Sequence, residues 1–321
     1  MNTTIGSLFT GGGGWETGAA ELGLRPLFGV EMDPAVAAHY DYVFGRHMIV
    51  GSVTDVDYGR LPRVDVLVSS FPCQPTSSSG KQARERQRAR GFLVEDQDEA
   101  EGSFCDPRVG LSTVVAAEAL RPSVVLVENS AAYLETPVAA QIMGSLGSLG
   151  YYVDARILDA SHYGVVSGRK RTIIRASLRL LPAWPQPSAR PSWYDAIADL
   201  VPGLARAELA PWQAGGLADN PPPAGVPLLI AGGNPSRNAR GYIVHRTPDQ
   251  AAWTTQKAKT TSGIRVIDAN GVVRAMSTRA IARLQGFPDW YPMPASRSLA
   301  IHILGNSVAP TFAGTMLRSV L

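Results

Sequence analysis

The segment DVLVSSFPCQPTSSSG, residues 65–80, ends an apolar run in a Pro-Cys-Gln turn. A strand that stops there places Cys73 at the carboxyl edge of a parallel sheet, where the ligand sites of α/β folds lie. A cysteine can instead serve as a small buried hydrophobe, but Pro72, Gln74, Pro75 and the four hydroxyl residues that follow disfavour that alternative. A second candidate is FTGGGG, Phe9 to Gly14, directly after the first apolar run, where closely spaced glycines let backbone approach a ligand. It lacks the spacing of a dinucleotide fingerprint, and alone it fits a nucleotide-type site or a structural turn equally well. Glu31, ending the second apolar run, could bind ribose hydroxyls in either a nicotinamide or an adenosylmethionine site. A third candidate is GKQARERQRARGF, residues 80–92, whose Lys81, Arg84, Arg86, Arg88 and Arg90 could contact phosphates. A solvated helix with self-paired charges is the alternative, since Glu85 interrupts the run.

The elements that must carry these residues are legible as a rhythm. Short apolar runs (TIGSLF, PLFGVE, HMIVGSV, VDVLVSS, SVVLVEN) alternate with helical stretches such as WETGAAELG and PAVAAHYDYVF. That alternation predicts a doubly wound, mostly parallel sheet covered by helices. YYVDARIL and RTIIRASL extend the sheet to about Leu180. From Pro182 to about Gly241 prolines and glycines are dense and periodicity is weak, which predicts a second, smaller, loop-rich domain. Helical texture returns at STRAIARLQGF and in the terminal GNSVAPTFAGTMLRSVL. The expected division is therefore 1–181, then 182–290, with 291–321 returning to the first domain.

Composition narrows the class. At 321 residues and 45% hydrophobic content the chain can pack a large core, and disorder is excluded. Two cysteines, Cys73 and Cys105, make neither a disulfide framework nor a zinc cluster, so no metal is expected and a reducing, cytoplasmic setting fits. No signal peptide or membrane-spanning run occurs, so no membrane partner is expected. The net charge of +3 is only a mild pointer to a polyanion.

Read together and in order, six segments resemble the motifs of the cytosine carbon-5 DNA methyltransferase family, bacterial or phage type: FTGGGG; FPCQ; SVVLVEN, ending in Glu128 and Asn129; YGVVSGRKR, with Arg169 and Arg171; STRAIARLQGFPD, residues 277–289; and GNSV, residues 305–308. The resemblance implies a class I methyltransferase fold and methyl transfer from S-adenosylmethionine, leaving S-adenosylhomocysteine, to carbon 5 of a cytosine flipped out of double-stranded DNA. It makes Cys73 the nucleophile at carbon 6. It gives Glu128 the proton at ring nitrogen 3, and it gives Arg171, with Arg169 as the weaker candidate, the ring oxygen and the orientation of Glu128. For the donor it implies Phe9 stacked on adenine, Gly11, Gly13 and Gly14 at the methionine-side turn, and Glu31 on the ribose. Met32, Ser52, Val53, Pro72 and Leu111 would line the pocket, with Asn306 and Ser307 near the methionine portion. DNA contacts would come from Gln74, Ser77 and the basic run, and from the second domain, where Arg237, Asn238, Arg240, His245, Arg246, Gln256 and Lys259 carry groups suited to base edges. Arg237 and Arg240 are the residues chosen there. A monomer is expected.

Several positions depart from the family pattern. Ser7 and Ser52 stand where acids are usual, with Asp55 displaced from the second; Ser130, Ser167 and Ala280 are further departures. Cys73, Glu128 and Arg171 are retained, which favours an active enzyme. A related pyrimidine-modifying enzyme with another donor or an RNA substrate stays open, as does a non-catalytic DNA-binding relative. A nicotinamide oxidoreductase leaves the Pro-Cys-Gln turn and Glu128-Asn129 unexplained. Restriction-modification, a phage genome's protection and regulation are not separated by these residues.

Overall fold

The structure is a computed structural model that describes residues 3–72, 107–231, 244–252 and 263–321. The chain divides into two units. One comprises Met1–Asp159, Lys170–Gln186 and Ala313–Leu321; the other comprises Ala160–Arg169 and Pro187–Phe312. The sequence rhythm placed the divisions after 181 and 290, whereas the chain crosses between units four times, after Asp159, Arg169, Gln186 and Phe312. The crossing at Ala160–Arg169 has a tertiary cause. This short connection bridges Ser167 to Ala252, and His162 O accepts the Ser188 backbone N–H at 2.8 Å, so it joins a fold far along the chain.

The first unit is built on seven strands: β1 (Thr4–Leu8), β2 (Arg25–Glu31), β3 (Met48–Val50), β4 (Val66–Ser69), β5 (Val124–Ser130), β6 (Tyr152–Asp159) and β7 (Lys170–Ser177). Their order is β3-β2-β1-β4-β5-β7-β6. The first five pair in parallel, and β7 enters antiparallel between β5 and β6. β4 and β5 are buried along their whole lengths. Continuous apolar runs are what a central parallel strand covered on both faces requires. β6, at the edge, is mostly open.

Helices α1 (Gly14–Ala20), α2 (Pro34–Phe44), α3 (Ser112–Leu120) and α4 (Pro137–Ser148) connect these strands. Two starts are written in the sequence. Asp33 accepts the Ala35 and Val36 N–H groups ahead of Pro34, and Thr136 accepts the Ala139 N–H ahead of Pro137. A short polar N-cap followed by proline satisfies donors that the first turn leaves unpaired. The core gathers Leu8, Phe28, Val30, Leu67, Val125, Ile142 and Ile174 between sheet and helices.

The second unit holds a four-stranded antiparallel sheet, in the order β11-β10-β8-β9, made of β8 (Leu228–Ile230), β9 (His245–Arg246), β10 (Arg265–Ile267) and β11 (Val273–Ala275). It also holds α5 (Pro211–Asp219), α6 (Thr278–Leu284) and α7 (Arg297–Asn306). Strands of two or three residues are too short to show alternation, which is why this sheet read as loop. Polar cross-links hold it. Gln213, fully buried, takes the Ala210 N–H on its oxygen and donates to the Ala231 carbonyl at 2.9 and 2.7 Å. Arg279 donates to the Pro288 and Tyr291 carbonyls. The last helix, α8 (Pro310–Arg318), follows as expected from the terminal segment. Within the first unit, a Cβ at Gly314 would sit 3.2 Å from the Gly18 carbonyl oxygen, so the end of α8 packs closely on α1. Among the described residues no helix is long and apolar enough to cross a membrane.

Candidate active site

At the carboxyl end of β1 the chain turns through three left-handed residues, Phe9 (φ 55°), Gly11 (φ 56°) and Gly13 (φ 78°). For a bulky side chain such as Phe9 this conformation is an outlier, of the kind that clusters at ligand sites. The turn is over-determined. Thr10 N–H donates to Val30 O at 3.0 Å and Gly13 N–H to Thr10 O at 3.1 Å. Glu31 closes the loop from β2, its two oxygens accepting the Gly11 and Asp33 N–H groups at 2.9 and 2.8 Å. A Cβ at Gly13 would collide with the Phe44 ring, while one at Gly11 would meet nothing within 4 Å. Gly13 is therefore needed for packing from below and Gly11 leaves open space above. Phe9, partly buried, stands edge-on to Phe71 at 5.9 Å, and Phe71 edge-on to Tyr133 at 4.9 Å.

After β3, the Asp55 N–H bonds the Ser52 carbonyl at 3.1 Å, and Ser52 Oγ lies 2.7 Å from Thr54 Oγ1. Asp55 is exposed and accepts the Thr54 hydroxyl at 3.1 Å. Val53 is buried, Leu111 and Pro72 are partly buried, and Met32 is half exposed.

The second departure has a structural answer that sequence reading missed. Ser7 Oγ, inside β1, bonds Thr10 Oγ1 at 2.8 Å and donates to Glu16 Oε1. A carboxyl thus does lie behind the glycine loop, but it comes from α1. The available signal was the acid in the first turn of the helix that follows the glycines.

At the end of β5, strand alternation sends Glu128 and Asn129 to opposite faces. Arg171 lies opposite Ser130 in the β5–β7 register, so Glu128 is its diagonal neighbour, within reach of a long side chain. Arg171 Nε meets Glu128 Oε1 at 2.7 Å, with 20% and 8% of the two side chains exposed. Arg171 also donates through Nη1 to the Lys170 carbonyl. Asn129 donates through Nδ2 to the Phe71 carbonyl at 3.2 Å and accepts the Ser130 N–H at 2.7 Å. It therefore grips the backbone two residues before Cys73. Ser70 and Ser69 are held in turn by Trp15 Nε1 at 2.9 Å and Thr113 Oγ1 at 2.8 Å. The sequence shows Asn129 only as part of a motif, and its contact depends on β4 and β5 being neighbours.

The second unit holds Arg169, which is buried, and Ser167, fully buried beside its bridge to Ala252. Its α7 ends in Asn306, exposed, and Ser307, buried with its hydroxyl on the Ile303 carbonyl at 2.8 Å. On β9, burial and the neighbouring Arg246 push the His245 pKa down. Cys73, Gln74, Ser77, Lys81, Arg84, Arg86, Arg88 and Arg90 lie outside the described residues, as do Arg237, Asn238, Arg240, Gln256 and Lys259.

A doubly wound sheet with a glycine turn after β1, a carboxylate closing β2 and an acid–arginine pair near the end of β5 has the form of an α/β enzyme with its site at the carboxyl edge of the strands. The family model of C-5 cytosine-specific DNA methylases matches residues 3–195 and 231–321, and the chain belongs to that family. It is an S-adenosylmethionine-dependent DNA cytosine-5 methyltransferase. Similar relatives include the Type II methyltransferase M.XorII of Xanthomonas oryzae, 25% identical over 98% of this chain and 83% of its own. M.HhaI of Haemophilus parahaemolyticus is 26% identical, covering 94% of this chain and 89% of its own. Among solved structures, Spodoptera frugiperda DNMT2 superposes with TM-score 0.66 at 17% identity, over 99% of each chain. That last likeness concerns the fold alone.

Proposed function

We propose that the chain flips a cytosine out of double-stranded DNA and methylates it through a covalent adduct on Cys73, acting as a monomer in the cytoplasm. Carbon 5 of cytosine is a poor nucleophile. Addition of the Cys73 thiolate to carbon 6 makes carbon 5 enamine-like, and Glu128 delivers a proton to nitrogen 3 as charge builds on the ring. Arg171 holds the Glu128 carboxyl in one orientation and binds the ring oxygen. Once carbon 5 carries the donor's methyl group, a base such as water takes its remaining proton, the ring double bond re-forms with expulsion of the Cys73 thiolate, and nitrogen 3 returns its proton to Glu128. The observation that carries this reading is the Glu128–Arg171 contact at 2.7 Å beside the Asn129 grip on the Phe71 carbonyl. It supports the reading because a carboxyl, a guanidinium and the backbone that leads to Cys73 meet at one edge of the sheet.

The loop fits the donor: Gly11 leaves open space where a side chain would stand, Phe9 is held at its rim, and Glu31 is fixed by two backbone N–H groups. S-adenosylmethionine supplies a methyl group on a sulfonium, the electrophile that carbon 5 requires. Phe9 would stack on its adenine and Glu31 would bind its ribose, with Met32, Ser52, Val53, Pro72 and Leu111 as walls. Gly11, Gly13 and Gly14 would accommodate the methionine portion, joined by Asn306 and Ser307. Extruding a base costs about a few kcal/mol, and Gln74, Ser77 and the basic residues from Lys81 to Arg90 would offset it through DNA contacts. Residues 182–290, with Arg237 and Arg240, would read the target sequence.

Bisulfite sequencing of DNA from a methylation-free bacterial host tests the proposal. Protected cytosines in one short motif with wild type, and none with Cys73→Ala, are expected. Equal protection with the variant overturns the covalent mechanism.

A further inference from the structure

Glu16 is the buried acid that the mechanism above leaves unused. It is 2% exposed, and its Oε2 has no hydrogen-bond partner among the described residues, nor does any ion pair there reach it. Buried carboxyls without a cation are rare, because the charged form is poorly solvated and unpaired polar atoms are costly. Its place is specific. Oε1 takes the Ser7 hydroxyl, Ser7 in turn touches Thr10 in the glycine loop, and Tyr40, whose ring lies under Gly13, also interacts with the carboxyl. The Tyr40 hydroxyl is 2.9 Å from His47 Nε2, on a half-buried imidazole next to Asp41. Polar groups therefore lie along the way from the back of the loop to a partly solvated ring.

We propose that Glu16 is the proton-exchanging carboxyl of the donor pocket, giving up its proton to solvent, by way of Tyr40 and His47, when the cationic donor binds in front of the loop. The inference rests on the donor assignment made above. In the free protein burial pushes the carboxyl pKa up to about 7, against the pull of Ser7 and Tyr40. A sulfonium and an ammonium arriving on the other side of a thin, side-chain-free turn favour the ionised form, since opposite charges attract strongly where water is excluded. The other charged groups near this position do not supply that cation. β1 carries none, and Glu31 and Asp41 are acids. The imidazole of His47 is held below its usual pKa by burial. Helix α8, which meets α1 at Gly314, ends in Arg318, which is exposed and makes no ion pair with Glu16 among the described residues.

The test is isothermal titration of the purified full chain with S-adenosylmethionine, without DNA, at pH 6 to 8 and in buffers of different ionisation heat. A pKa drop of one to two units on binding corresponds to about ten- to hundredfold in affinity for the ionised form. Wild type should bind about five- to tenfold more tightly at pH 8 than at pH 6 and release about half a proton or more near pH 6.5. Glu16→Gln, an isostere of the protonated acid, should bind with one pH-independent affinity, about twofold to tenfold below that of wild type at pH 6, with no proton released. His47→Asn should keep the pH dependence. Wild-type affinity that is flat with pH, or proton release that survives in Glu16→Gln, overturns the inference while leaving the donor assignment standing. Absence of S-adenosylmethionine binding by wild type at every pH overturns both.

Discussion

Glu128 and Glu16 are carboxyls of the same sheet unit, each less than a tenth exposed, one near the carboxyl end of β5 and the other in the helix that follows β1. Glu128 has a guanidinium at 2.7 Å, placed there by the antiparallel entry of β7. Glu16 has only uncharged partners, the Ser7 hydroxyl, its own backbone N–H and the Tyr40 hydroxyl. The difference is one of neighbours rather than of burial. An arginine fixes the orientation of a carboxyl that must meet one ring atom, whereas a carboxyl among hydroxyls, desolvated and without a cation, is left free to change charge. One strand order provides for both, because β5 and β7 are neighbours and α1 leaves β1 through glycines too small to separate Glu16 from the pocket.

The largest effect should come from the paired carboxyl. Glu128→Gln keeps the shape but cannot deliver the proton, and kcat in a tritium-transfer assay should fall by about 10²- to 10⁴-fold at every pH from 6 to 8. A loss confined to high pH would place Glu128 with Glu16 and erase the contrast.

Stability sharpens the same comparison. The folded Glu16 pKa of about 7 lies above its unfolded value of 4.5, so the native state holds the proton more tightly. Folding carries no penalty from this group below pH 4.5; the penalty grows as pH rises and is complete above about pH 7. A shift of this size corresponds to about 3 kcal/mol. Denaturant midpoints should therefore show Glu16→Gln gaining on wild type between pH 5 and pH 8 by that order, and a constant difference would mean that Glu16 is ionised throughout.

The smallest effect expected is that of Asn129→Ala. Loss of its bond to the Phe71 carbonyl should cost about 1–2 kcal/mol of stability, with kcat lowered more than the donor KM is raised. An unchanged kcat would show that the Pro-Cys-Gln turn is positioned without Asn129.

Much of the first unit was legible because it is written in local patterns. The central strands β4 and β5 open as apolar runs, Val66–Val68 and Val124–Val127, and α2 and α4 begin with a polar cap followed by proline. The second sheet was not legible, since β8 to β11 span two or three residues each and are held by pairings between distant segments, such as Leu228–Ile230 with Arg265–Ile267. Loop texture and short-strand texture are alike at that length.

The site divides along the same line. The order of motifs and the residue types Cys73, Glu128 and Arg171 are properties of the chain alone, because nucleophile, proton donor and cation are chemical identities that no folding changes. Their meeting is another matter. That Arg171 lies diagonally across from Glu128, that Asn129 reaches the turn before Cys73, and that Ser7 is answered by Glu16 depend on which strands became neighbours and on what α1 packs against. Periods of two and 3.6 residues report which face of an element is buried. They carry no information on what that face will touch, and the pairing of side chains far apart in sequence is settled only when the core closes around them.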